Sequence, residues 1–119
     1  MYWPGRRYVD AVGSTMINFG GEKRYAVGRF ASRQRALRRL YHKPVMLTEV
    51  NTVYRGRTRW LRDLRRMLRH TPWIRSIAWF QHQSRGQVQI KGAGRLDWDV
   101  QRDPAAAAVL RRIVRDGRR

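Results

Sequence analysis

The chain has 119 residues, with 27 Lys and Arg against 8 Asp and Glu, a formal net charge of +19 and a sequence pI near 11.9. It contains no cysteine, which excludes disulfides and thiolate metal sites. It also lacks any run of about 18 apolar residues, the length a membrane-spanning helix needs.

The first predicted element is a strand beginning at Tyr8–Val12 and extending toward Ile17. The loop Asn18–Gly28 follows it. Its Asn18-Phe19-Gly20-Gly21 sequence permits a tight turn, but neither GxGxxG nor GxxxxGK[ST] occurs, so no phosphate-binding loop is expected. Asn18 is a candidate for bonding to a substrate or to a catalytic carboxylate. A helix is predicted over Arg29–Tyr41, with Phe30, Leu37, Leu40 and Tyr41 on one side and arginines elsewhere.

After the short His42-Lys43 connection, Pro44–Val50 (PVMLTEV) is a nearly continuous apolar run, as expected of a buried parallel strand. Glu49 closes that run. A carboxylate at the C-terminal end of a parallel strand lies where α/β proteins build acids, bases and nucleophiles; the alternative is a Glu that pairs with one of the many arginines. A helix over Arg57–His70 carries Trp60, Leu61, Leu64, Met67 and Leu68 at amphipathic spacing.

The third strand, Ile74–Phe80, ends on Trp79 and Phe80, whose side chains must face opposite ways. One of them can form an aromatic floor for a sugar ring, with Gln81 and His82 supplying hydrogen bonds. The alternative for Trp79 is the core. In the loop Gln81–Arg102, Trp98 is either a second sugar platform or an apolar plug before the last helix. That helix, Asp103–Arg115, has the clearest boundaries: Asp103 as N-cap, Pro104 in the first turn and Gly117 past the end. The histidines His42, His70 and His82 show no metal-ligating spacing, so neither metal nor cofactor is expected.

Alternating strands and helices predict an α/β fold of parallel βαβ units. The loops leaving the strands are longer than those entering them, which favours a site at the strands' C-terminal ends. Three parallel strands leave two open edges, so the pattern implies an incomplete barrel or a small open sheet that needs a partner, and a chain that is marginal or aggregation-prone when isolated. A complete (β/α)8 barrel takes about 250 residues.

High positive charge ordinarily points to a polyanion: nucleic acid, anionic lipid or acidic polysaccharide. Here the basic residues are spread along the chain, and only Lys23, Lys43 and Lys91 are not Arg, a distribution that argues against a nucleic-acid partner. The N-terminal Met-Tyr-Trp-Pro-Gly-Arg-Arg does not read as a signal peptide.

Several motifs occur in an order that resembles glycoside hydrolase family 26, the β-mannanase-like family. They are Tyr2-Trp3-Pro4-Gly5 with Tyr8-Val9-Asp10-Ala11-Val12-Gly13, then Lys43-Pro44-Val45-Met46-Leu47-Thr48-Glu49, then Trp60-Leu61, then Pro72 to Phe80, and finally Leu96-Asp97-Trp98. The resemblance runs from about Tyr2 to Ile113. It implies that the chain, residues 1–119, is the C-terminal part of a (β/α)8 (TIM) barrel, strands six to eight, from an enzyme of the extracellular space or cell envelope. It further implies a retaining endo-β-mannanase-like hydrolase acting on a β-linked polysaccharide. Glu49 falls on the nucleophile position and Trp79 on an aromatic beside the cleaved sugar. The acid/base Glu would lie in the missing N-terminal part. Both carboxyls are needed, about 5–5.5 Å apart, so the isolated chain is expected to be inactive. One departure matters: where many members have Tyr-Asn after the sixth strand, this chain has Ile17-Asn18. That favours, as an alternative, a non-catalytic glycan-binding or exopolysaccharide-associated relative. A basic nucleic-acid or polyanion binder is the remaining alternative.

Overall fold

In a computed structural model, residues 3–19, 26–53, 55–81 and 97–117 are described. Three strands, β1 (Val12–Asn18), β2 (Val45–Thr52) and β3 (Ile74–Trp79), alternate with three helices, α1 (Val27–Tyr41), α2 (Arg57–Arg69) and α3 (Pro104–Asp116). The sheet is parallel throughout and ordered β1-β2-β3.

The core explains why these segments take these forms. From the strands, Met16, Val45, Leu47 and Val50 point to one side. Against them pack Val27, Phe30 and Ala31 of α1, Trp60, Leu61, Leu64 and Met67 of α2, and Ala106, Val109 and Ile113 of α3. All three helices therefore lie on one face of the sheet, and none covers the other face among the described residues. Doubly wound sheets carry helices on both faces; a same-side arrangement with strands in sequence order is that of successive βα units turning one way.

Four sequence expectations are corrected. The first strand starts at Val12, not Tyr8, because Gly5 adopts φ 101° and turns Arg6–Tyr8 into a 3-10 helix. Strand β2 runs on through Asn51 to Thr52, so Glu49 lies within it rather than at its end. Leu40 is 68% exposed, since it falls off the stripe defined by Val27, Phe30, Ala31 and Gln34. Val114, expected on the apolar stripe of the last helix with Ala106, Val109, Leu110 and Ile113, is 50% exposed beside β3.

The helix ends follow local chemistry. The Asp103 carboxylate accepts the Ala106 N–H at 2.9 Å, a side-chain N-cap, and Pro104 occupies the first turn. Helix α1 ends on His42 in the left-handed region (φ 53°), whose N–H donates to Arg38 O at 2.9 Å. Arg65 and Arg69 of α2 both reach Asp116 of α3, at 2.7 and 3.5 Å. The hydrogen bond from Arg65 to that carboxylate raises the guanidinium pKa above its ordinary value.

The left-handed position at His42 generates a stability prediction. A β-carbon there costs about 1 kcal/mol, and glycine's extra unfolded-state freedom returns part of it. His42→Gly should therefore stabilise the chain by about 0.5 kcal/mol, raising the thermal midpoint by about 2–4 °C. A lower midpoint in a circular-dichroism melt would contradict this account of the α1 terminus.

Candidate functional site

Strand β2 contains an extra residue. Ser14 pairs with Leu47 but Thr15 pairs with Glu49, so Thr48 is a bulge opposite no residue of β1. Burial follows: Leu47 and Val50 face the helices, while Thr48 and Glu49 between them are both exposed. Uninterrupted alternation would have put Glu49 on the side of Leu47, inside the helical core. The bulge instead leaves it on the uncovered face. There the Thr15 hydroxyl donates to Glu49 Oε2 at 3.5 Å. Gly13 belongs to the same arrangement, because a β-carbon at that position would come within 3.0 Å of the Thr48 methyl.

The C-terminal end of this face is closed by Trp98. It is buried, stands edge-on to Phe19 and Phe80 at centroid distances of 5.7 and 5.5 Å, and packs on Ile17. Of the two readings for Trp98, the structure adopts the plug; a sugar platform needs an accessible ring face, and this ring has none to spare.

Two buried polar side chains hold the plug, and sequence reasoning missed both. Asn51 is fully buried; its Nδ2 donates to Trp98 O at 2.9 Å and to Phe80 O, and its Oδ1 accepts the Thr52 N–H at 2.6 Å. Arg57, the first residue of α2, donates from Nε to Thr52 O and from Nη1 to Asp99 O, both at 2.9 Å, and from Nη2 to Asp97 O. A signal was present: a cation in the first turn opposes the helix dipole, so an arginine there has another task. Asp99 is buried too, and accepts from Gln81 Nε2 at 2.7 Å and the Gln101 N–H at 3.0 Å.

The remaining sequence candidates separate. Trp79 is corrected: it pairs with Val50 and packs against the helical core, so Phe80, not Trp79, shares the side of Glu49. Gln81 sits at the rim with both amide atoms engaged, since its Oε1 accepts from Trp79 Nε1 at 3.2 Å while its Nε2 serves Asp99. Asn18 is buried, and strand alternation from Met16 puts it on the helix side, away from Glu49. His82 lies outside the described residues. Among the described residues no three His, Cys, Asp or Glu side chains cluster as a metal site would require.

A hollow of about 410 Å³ lies elsewhere, on the helix side between α2, α3 and β3, lined by Leu68, Ile74, Ile77, Trp79, Leu110 and Val114 among others. It is separated from Glu49 by the sheet. No protein-family model matches the chain, and no curated protein matches it.

The Arg57 network yields the second prediction. Arg57→Met is expected to cost about 3 kcal/mol, because three carbonyls lose their donor and a buried unsatisfied acceptor costs about 1–3 kcal/mol. Amide hydrogen exchange should accelerate first at Trp98–Val100, before the centre of β2. A loss below about 0.5 kcal/mol in urea denaturation would remove Arg57 from this role.

Proposed function

We propose that this chain is the C-terminal three βα units of a (β/α)8 barrel of the glycoside hydrolase family 26 type, and that Glu49 is the nucleophile of the assembled enzyme. The observation that carries the reading is the pairing of a one-sided βα sheet with a carboxylate aimed at the uncovered face. In a closed barrel the helices form the outer ring and the opposite face is the interior, whose C-terminal end holds the chemistry. The outer edges of β1 and β3 pair with no other strand among the described residues, as they would if flanking units supplied them. The hollow beside β3, where apolar side chains are joined by Arg65, Arg69, Arg75 and Asp116, offers surface to the next unit.

In that assembly Glu49 attacks the anomeric carbon of a β-linked, mannan-like polysaccharide. A second carboxylic acid from the preceding units protonates the leaving oxygen and then activates water. Thr15 takes the orienting role for which the family uses a Tyr hydroxyl, since position 17 is an isoleucine packed on Trp98. Phe80 replaces Trp79 as the aromatic on the sugar side.

One observation favours a second reading, a glycan-binding relative without hydrolysis. Ile17 removes a hydroxyl from the nucleophile's surroundings, and the Thr15 bond is long at 3.5 Å.

The test joins the chain to five upstream βα units bearing a Glu after the fourth strand, and measures reducing ends released from β-mannan and the anomeric configuration of the first product. Hydrolysis with retention is expected, with Glu49→Gln lowering kcat by about 10³-fold or more. Affinity for the glycan without turnover would select the binding reading. An assembled barrel with neither property overturns both.

A further inference from the structure

The sequence shows its basic residues as dispersed, yet the fold gathers two of them with aromatic rings at the end of the sheet opposite the Trp98 plug. Gly5 (φ 101°) folds the first described residues into a turn in which the Tyr8 N–H donates to Gly5 O at 3.2 Å. Trp3 lies against Tyr41, at the end of α1, with centroids 4.5 Å apart and planes tilted by 41°. Tyr8 is 65% exposed, and the Arg7 guanidinium lies over its ring, 4.8 Å from the centroid. Arg6 and Arg7, in the same turn as Tyr8, are exposed.

The N-terminal part of the sequence carries a strong excess of positive charge. Residues 1–48 hold ten Lys and Arg against Asp10 and Glu22 alone. Helix α1 contains five arginines and no acid, with Arg29/Arg33 and Arg35/Arg39 as like-charge pairs one turn apart, an arrangement that weakens a helix on its own. Every ion pair among the described residues belongs to α2, α3 or the turn at Val100–Arg102.

We propose that this end of the molecule binds single-stranded nucleic acid, with a base stacked on Tyr8 and phosphates held by Arg6 and Arg7. Half-exposed rings interleaved with guanidiniums match a polymer that presents one planar ring and one negative charge per unit. Arginine suits the task better than lysine, because its planar fork both stacks on bases and grips phosphate oxygens in pairs. An anionic glycan matches the charge but offers no flat aromatic face. An anionic bilayer calls for a continuous apolar face, whereas the exposed Tyr8 ring lies beneath the Arg7 guanidinium.

The experiment is fluorescence anisotropy of a labelled oligo-dT of about twelve nucleotides titrated with the full chain, beside heparin and phosphatidylserine vesicles. The salt slope should be about −0.7 per phosphate neutralised, and Arg6→Ser/Arg7→Ser should lower it by about 1–1.4. Tyr8→Ala, at an exposed position, should weaken oligo-dT binding about fivefold or more and leave heparin binding unchanged. Arg111→Ser/Arg112→Ser on α3, which removes equal charge elsewhere, should change oligo-dT affinity less than about twofold. Circular dichroism of each variant checks that the fold is kept. Equal losses from the two arginine pairs, or oligo-dT binding indifferent to Tyr8→Ala, overturn the proposal in favour of plain charge attraction. Tyr8-dependent binding confined to the vesicles overturns it in favour of a membrane surface.

Discussion

A guanidinium sealed inside a protein must be met by acceptors on every side, and that requirement organises the C-terminal end of this sheet. Arg57 meets it with peptide carbonyls from two distant stretches, the end of β2 and the Asp97–Asp99 segment. The second stretch lies some forty residues away in sequence, so the side chain acts as a tether between loop and sheet. Asn51 grips the same segment through Trp98 O and ties it to β3 through Phe80 O. The seating of Trp98, the closure of the uncovered face at this end, and the positions of Phe80 and Gln81 all follow from these two anchors. The anchors are polar and directional, which fixes the loop in one register where apolar contact alone would allow sliding.

The architecture makes two faces with different demands. The helix side is a packed apolar layer, and apart from the buried Arg57 the arginines of α1, α2 and α3 lie toward its outer surface. The other side keeps Thr15, Thr48 and Glu49 accessible and carries Met46 at 41% exposure. A buried parallel sheet normally has both faces covered. Among the described residues this sheet is covered on one face only, and neither outer edge is paired with a further strand.

Much of the fold was legible from the sequence. Helix α2 announced itself by Trp60, Leu61, Leu64 and Met67, and α3 by its cap, its proline and its terminal glycine. Strand–helix alternation gave the parallel sheet. The site was less legible, for reasons that are physical. Facing depends on counting residues from a fixed point, and the bulge at Thr48 breaks the count. Trp79 and Phe80 were an ambiguous pair for the same reason, resolved only once Val50 was seen opposite Trp79. Asn51 and Arg57 act through carbonyls of residues far along the chain, and backbone acceptors leave no mark in the amino-acid pattern. The turn at Arg6–Tyr8 was hidden because Tyr-Val-Asp-Ala-Val is good strand material, and the positive φ of Gly5 overrode that propensity.

The extra residue in β2 also bears on how this chain is aligned with others. Core positions along the strand fall at Val45, Leu47, Val50 and Thr52, spacings of two, three and two. Excising Thr48 would leave Leu47 and Val50 inward and Glu49 outward, because the ladder to β1 already skips that residue. A homologue one codon shorter here would present the same carboxylate in the same direction. An alignment that forbids gaps within strands would displace it by one place, and read a residue facing the helices as its counterpart.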